Sequence, residues 1–197
     1  MKYALYRRTA GLACMLLAFG ARGWLESIMF THMLVQLPLL FSAGWLLSGQ
    51  VCWPHRLTVL DRYGLTSLAA LLFISAYWMI PRALEQSLQS PLAEAGKFAS
   101  FVLAGLMLPS ALRRARLVIQ LFYLGNFCWM TAIAGIQYQN MPQRLCNAYL
   151  LGDQSATGIG LVVLSILIAV AWCVRHASAL LSNPHQSSYH AAPGTEH

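Results

Sequence analysis

Residues 25–48, LESIMFTHMLVQLPLLFSAGWLLS, decide the fold of this chain. The stretch is long enough to cross a bilayer, because a membrane helix needs about 20 predominantly apolar residues. It nevertheless carries Glu26, His32 and Gln36 toward one end, and Pro38 inside it predicts a kink. An ionisable side chain at the centre of a bilayer costs roughly 2.5–3.5 kcal/mol on insertion scales. We therefore expect these polar groups to face other protein groups or a ligand rather than lipid.

The composition of the whole chain indicates a membrane protein. Of its 197 residues, 58% are hydrophobic and 10% are charged, whereas soluble domains carry about 25% charged residues. The net charge of +7 is explained by cations in loops on the cytoplasmic side of a membrane. We therefore predict the lipid bilayer as the environment and no nucleic-acid partner.

The hydrophobic segments predict an all-α, polytopic membrane bundle of about six transmembrane helices. We place the spans at 4–22, 25–48, 63–80, 94–112, 116–138 and 156–174. The bundle then occupies residues 1–174, and residues 175–197, rich in Ser, Pro and His, are expected to form a flexible polar cytoplasmic tail. The first segment also has the features of a cleaved signal peptide, but we favour an uncleaved span.

The distribution of Lys and Arg predicts the orientation of the bundle. With the N-terminus inside, nine of these residues fall in cytoplasmic segments and four in outer ones, as the positive-inside rule requires. We therefore expect both termini to be cytoplasmic, with the chain in a bacterial inner membrane. Four of the six acids, Glu26, Glu85, Glu94 and Asp153, then lie toward the outer side, which favours an outward-facing pocket.

The methionines and the histidine of the opening stretch are candidate metal ligands. Met29, His32 and Met33 stand at i, i+3 and i+4, so they share one helical face. Thioether and imidazole together suit Cu(I), because soft sulfur selects the soft ion. Met79 adds another sulfur at the end of the third span. The alternative is that the methionines pack in the core and the histidine hydrogen-bonds a neighbouring helix.

Other polar residues have simpler interpretations. Glu94 and Lys97 stand at i, i+3 and are predicted to pair with each other. Asp153 and Gln154 are predicted to cap the last span. The five cysteines form no CxxC pair, so neither a disulfide framework nor a zinc site is expected. No catalytic motif is present, and we do not expect an enzyme.

The stretch YWMIPRALEQSLQSPLAEAGKFASFVLAGLMLP (77–109) resembles membrane proteins of the cytochrome c oxidase assembly factor CtaG family, which are linked to copper insertion. That family shows a Trp-His-x-Pro helix end, a connector, a Ser-Pro-Leu helix start with two histidines, and then Ser-Phe-x-x-Ala-Gly. His32-Met33 and Asp153-Gln154 resemble two further elements of the family. The residues of 77–109 that fall into this frame are Trp78, Pro81, Ser90, Pro91, Leu92, Ser100, Phe101, Ala104 and Gly105.

The resemblance implies a function, although most of the family's histidines are replaced here, by Met79, Glu94, Phe98 and Gln36. It implies an accessory or assembly factor for a copper-dependent, respiratory oxidase-like membrane enzyme, with Cu(I) bound at an outward-facing site. The ligands would be His32, Met33 and Met79, with Met29 and Glu94 contributing. The alternative is a non-metal membrane scaffold, or an accessory subunit of a larger membrane complex.

Overall fold

The structure is a computed structural model that describes residues 2–50, 59 and 61–181. These residues form helices joined by short connections, and no strand occurs among them. The predicted all-α class is therefore confirmed. The helices are α1 (Lys2–Gly20), α2 (Arg22–Leu25), α3 (Met29–Leu47), α4 (Leu65–Trp78), α5 (Pro81–Gln89), α6 (Pro91–Arg114), α7 (Leu117–Asn140) and α8 (Leu151–Leu181).

The number of spans differs from the six predicted. Within the described part of the chain, four helices are long and apolar enough to cross a membrane: α3, α6, α7 and the Leu151–Ala177 part of α8. A fifth is gained if α4 and α5 are counted as one bent span. Helix α1 is not among them, because Arg7 and Arg8 interrupt its apolar sequence. The structure thus supports a multi-pass membrane protein with four to five candidate spans.

The helix of the opening stretch is broken and then bulged. Chain direction changes at Ile28, which is extended (φ −128°, ψ 136°), so the span begins at Met29 and not at residue 25. From His32 to Gln36 the backbone forms a π-helical turn, directly before Pro38. Proline lacks the N–H of a regular turn and its ring crowds the carbonyl four residues earlier. The predicted kink therefore takes the form of a π bulge.

The third predicted span also ends at a bend. Helix α4 stops at Trp78, and α5 starts at Pro81 with its axis turned by 76°. Helix α5 is amphipathic and contacts α6, and its Ala83 and Leu84 are buried in a core cluster that also contains Trp78. The residues between the third and fourth predicted spans, 81–93, are thus largely in this short helix.

Glycines set the distance between the packed helices. A Cβ on Gly44 would overlap the carbonyl oxygen of Val102, and one on Gly105 would overlap that of Phe41. Helices α7 and α8 meet in the same way where Gly135 and Gly158 face each other. Small residues at such crossings let helix backbones approach closely in a membrane protein.

An ion pair fastens the end of the bundle where α6 stops. Arg114 donates to Asp61 at 2.5 Å, and the Asp61 carboxylate also accepts from the backbone N–H and the hydroxyl of Ser67 in the first turn of α4. Gly64 between them adopts a left-handed conformation, φ +72°, and lies against Ala111. The connection into α4 is therefore fixed by the charge at the end of α6.

The last helix extends beyond the predicted span at both ends. It begins at Leu151 rather than 156 and continues to Leu181. His176, predicted to lie in the tail, is in this helix, where its ring stacks on Trp172 at 4.5 Å. The remaining tail and its histidines, His185, His190 and His197, lie outside the described residues.

We predict that Gly44→Ala destabilises the protein by about 1–3 kcal/mol, because the added methyl group must push α3 and α6 apart. The measurement is the free energy of unfolding in detergent. Gly96→Ala is the matched control, since a Cβ at Gly96 meets no atom within 4 Å. Equal effects of the two substitutions would contradict this account of the α3–α6 contact.

Candidate functional site

The amino group of Lys97 lies at the centre of a buried polar cluster. Its Nζ is 2.7 Å from Glu26 Oε1, 2.9 Å from His32 Nε2 and 3.2 Å from Gln36 Oε1. Lys97, His32 and Gln36 are 0% exposed. An ammonium group has three N–H donors and no acceptor, so three acceptors match its capacity. We call Glu26, His32, Gln36, Lys97 and Tyr149 the Lys97 cluster.

The hydrogen bonds assign one tautomer to His32. Lys97 can only donate, so Nε2 of the imidazole must accept. Nδ1 then carries the proton and donates to the hydroxyl oxygen of Tyr149 at 2.7 Å. The Tyr149 hydroxyl in turn donates to the backbone carbonyl of Glu26 at 3.1 Å. Both ring nitrogens of His32 are thus engaged by protein groups.

Tyr149 compensates for the break in the opening stretch. Helix α2 ends at Leu25 and the chain is not helical again until Met29, so the carbonyl of Glu26, the residue that follows α2, lacks a regular helical partner. The Tyr149 hydroxyl supplies it from the connection between α7 and α8. Burial raises the pKa of this hydroxyl, and Cys146 and Glu26 add to the shift, so the phenol keeps its proton and its donor role.

Gln36 extends the cluster to α1. Its amide nitrogen donates to Glu26 Oε1 at 3.0 Å and to the backbone carbonyl of Ala18 at 3.3 Å, while its oxygen accepts from Lys97. The π turn that contains both His32 and Gln36 places them on the Lys97 side of α3. Four parts of the chain are therefore joined by one set of bonds: α1, the α2–α3 region, α6 and the connection before α8.

The predicted pairing of Glu94 with Lys97 is wrong. Lys97 forms its ion pair with Glu26, and Glu94 accepts from Arg22 at 3.0 Å. Lys97 is buried, where an unpaired charge is expensive, so it takes the carboxylate that reaches the interior. Arg22 is about half exposed and its guanidinium also lies over the ring of Phe19 at 5.2 Å, so Glu94 stays near the surface.

The methionines proposed as ligands lie in the apolar core. Met29 and Met33 are buried in a cluster with Trp78 and Leu84, and Met79 packs at its edge. The sulfur of Met79 is 4.0 Å from the hydroxyl of Thr131. These contacts agree with the alternative of the sequence analysis, in which the methionines are packing residues.

Two of the five candidate copper ligands, His32 and Glu94, are engaged by cationic side chains in the structure. The only lone pair of the His32 ring that could bind a metal is on Nε2, and the cationic Lys97 occupies it at 2.9 Å. Glu94 is held by Arg22, in a separate ion pair. No group of three or more His, Cys, Asp or Glu side chains in the described part of the chain is arranged to hold a metal. His32 is buried rather than placed on the wall of an open pocket.

Gln154 holds the connection that carries Tyr149. Its amide donates to the backbone carbonyl of Tyr138 at 3.0 Å and accepts from the backbone N–H of Leu145 at 2.9 Å. Asp153 lies in the first turn of α8, where a carboxylate is favourable to the helix dipole. The predicted capping role is therefore wrong, because the helix begins at Leu151 and both residues lie within its first turn. Gln154 instead fastens the 141–150 connection.

Sequence reasoning identified His32 and Gln36 as groups that must face a partner, but it missed the roles of Lys97 and Tyr149. Lys97 is 71 positions from Glu26 and Tyr149 is 117 from His32, so no local spacing rule relates them. One signal was available: Lys97 is a lone cation inside an otherwise apolar span. Such a residue requires a buried acid.

We predict that Lys97→Met or Glu26→Gln alone lowers the free energy of unfolding by about 3–5 kcal/mol, because each leaves the other group charged, buried and unpaired. The double substitution should lower the free energy of unfolding by less than the sum of the two single effects. The coupling energy in this double-mutant cycle should be about 1–3 kcal/mol. The same double-mutant cycle on Arg22 and Glu94 is the control. Because this ion pair is partly exposed, its coupling energy should be less than about 1 kcal/mol. Additive effects at Lys97 and Glu26 would contradict a shared bond.

The raised pKa of Tyr149 predicts a loss of stability in alkali. A tyrosine whose pKa is higher in the folded protein stabilises it fully below the unfolded value, about 10. Above that pH the unfolded chain loses the proton first, so stability falls by about 1.4 kcal/mol per pH unit for this group. Unfolding of the wild type and of Tyr149→Phe from pH 8 to 11.5 checks this. The difference in the free energy of unfolding between the two proteins should shrink above pH 10. A difference that stays constant over this range would contradict the raised pKa of Tyr149.

Comparison with known proteins identifies no relative of this chain. No family model matches the chain, and neither a curated protein nor a solved structure matches it. The resemblance to the CtaG family therefore stays a prediction of the sequence. The geometry alone carries the functional argument.

Proposed function

We propose that the chain is a non-metal, non-catalytic membrane protein that acts as a scaffold or accessory subunit of a larger membrane complex. The single observation that carries this proposal is the mutual saturation of the Lys97 cluster. All three donors of Lys97 and both ring nitrogens of His32 are bonded to protein groups. A cluster of that kind fixes helices, and it leaves no free N–H on Lys97 and no free lone pair on the ring of His32.

The packing of the cluster supports a rigid frame. It joins segments from α1 to the start of α8, and the core cluster of Met29, Met33, Trp78 and Leu84 lies beside it. The opposite end of the bundle is fixed separately by Asp61 and Arg114. A bundle fastened at both ends is suited to present its lipid-facing surface to other membrane proteins in one shape.

We propose the orientation with the N-terminus in the cytoplasm of a bacterial cell, in the plasma membrane. Arg7 donates to the carbonyl of Trp45 at the end of α3. Helices α3 and α6 run in the same direction, since His32 meets Lys97 and Gly44 meets Gly105. Arg7 therefore lies at the same end as Arg114, and this cation-rich end is the one that the positive-inside rule assigns to the cytoplasm.

The copper-insertion role implied by the CtaG resemblance competes with this proposal. It would require Lys97 to release His32 Nε2 and the core methionines to turn toward the released nitrogen. We therefore expect the purified protein to bind no stoichiometric copper under anaerobic, reducing conditions with Cu(I) supplied. The measurement is the metal-to-protein ratio of the wild type and of Met33→Leu. The Met-to-Leu exchange is nearly volume-conserving, so the fold should persist.

A ratio near zero in both proteins is the expected result. About one copper per wild-type chain, lost in Met33→Leu with the fold intact, would replace the scaffold proposal with the copper role. Native electrophoresis of solubilised membranes provides the positive test, since a scaffold should migrate in an assembly larger than two copies of the chain. Migration as one or two copies of the chain at every mild detergent concentration would contradict the proposal.

A further inference from the structure

Helix α7 carries a polar residue in the part of the bundle that faces lipid. Asn126 is exposed, and it lies nine residues, about 14 Å, from the start of the helix at Leu117. The hydrocarbon core of a bilayer is about 30 Å thick. Asn126 is therefore close to the middle of the membrane, where lipid offers no hydrogen-bond partner.

Only part of the Asn126 carboxamide is satisfied. Its amide nitrogen donates to the carbonyl of Phe122 in the same helix at 2.9 Å. The carboxamide oxygen accepts no hydrogen bond from any described residue, and the second N–H also has no acceptor there. A carboxamide has two donors and an acceptor with two lone pairs. An unsatisfied polar group in hydrocarbon is unfavourable by several kcal/mol, so a partner is expected.

The residues around Asn126 form one continuous face of α7. They follow the spacing i, i+3, i+4 and i+7, which places them on the same side of a helix. Phe122 and Trp129 are 64% and 69% exposed, and a Cβ on Gly125 would meet no atom within 4 Å. Helix α7 is also the least buried of the candidate spans. We call this surface the Asn126 face, made of Val118, Phe122, Gly125, Asn126, Trp129 and Ile133.

We propose that the Asn126 face is the contact through which two copies of this chain form a dimer in the membrane. A second copy fits because the carboxamide is self-complementary: each Asn126 holds one free N–H and one free oxygen. Two such groups across a two-fold axis can exchange a pair of N–H···O bonds, and a two-fold interface places the same residues opposite each other. Gly125 beside it lets the two backbones approach, as small residues do in membrane helix pairs.

The large side chains of the face fit the same arrangement. Phe122 lies one turn before Asn126 and Trp129 nearly one turn after it, so they would pack on either side of the paired carboxamides. Such packing supplies the van der Waals contact that drives association of helices in lipid. The proposal uses no residue of the Lys97 cluster, so it stands or falls independently of the scaffold function.

The test measures dimerisation of the full chain in liposomes of phosphatidylethanolamine and phosphatidylglycerol. Fluorescently labelled protein is diluted in lipid, and the dimer fraction is read by single-molecule photobleaching. We expect a reversible dimer in the wild type. Asn126→Leu and Gly125→Leu should raise the dissociation constant at least about fivefold, the range that one interhelical hydrogen bond provides in model peptides.

Gly96→Leu is the matched control, because Gly96 on α6 is also exposed and a Cβ there also meets no atom within 4 Å. It should change the dissociation constant less than twofold. Circular dichroism of each variant shows that the monomer is folded. A photo-reactive residue at position 122 of the otherwise unchanged chain gives a second readout, a covalent dimer on illumination.

Three results would overturn the proposal. One is a wild type that is monomeric at every protein-to-lipid ratio. Another is a dimer that all three leucine variants retain equally. The third is cross-linking from position 122 only to a different membrane protein, in the native membrane and not between purified copies.

Discussion

The structure depends on how one buried lysine is satisfied. Lys97 is held within the bundle by three acceptors, and one of them, Glu26, provides the compensating charge. Burial of an ion pair is itself weak evidence for stability, since desolvation opposes the attraction of the charges. Its contribution is to specificity, because Lys97 keeps its three acceptors only when the α2–α3 region and α6 bring Glu26, His32 and Gln36 to the same amino group. The break before α3, the π turn and the position of Tyr149 all serve that arrangement.

The length and position of the long spans could be predicted from sequence, because an apolar run of about 20 residues has few alternatives to a membrane helix. The predicted spans at 94–112 and 116–138 agree closely with α6 (Pro91–Arg114) and α7 (Leu117–Asn140). The first span could not be assigned in the same way, since Arg7 and Arg8 occupy its second turn. The third predicted span, 63–80, agrees with α4 (Leu65–Trp78), whereas the amphipathic helix α5 lies outside every predicted span.

The candidate site shows where sequence reasoning reaches its limit. Its local rules placed Met29, His32 and Met33 on one face and paired Glu94 with Lys97, because residues three and four apart are neighbours on a helix. In the folded chain these rules compete with contacts between distant segments. Glu26 reaches Lys97 from a region that is not helical, and a π turn changes the register of His32. The inference that polar groups in a span must face a partner was sound, but the partner is another part of the chain.

The scaffold proposal depends on the hydrogen bond that His32 accepts from Lys97. Nitrogen-15 NMR of the protein, labelled at histidine, tests it most directly, because the two ring nitrogens have distinct shifts when protonated and when unprotonated. We expect His32 to be the tautomer protonated at Nδ1, with an unprotonated Nε2 that accepts a hydrogen bond, and we expect Lys97→Met to alter the Nε2 signal. A His32 protonated at Nε2, or one whose Nε2 signal does not change in Lys97→Met, would contradict it.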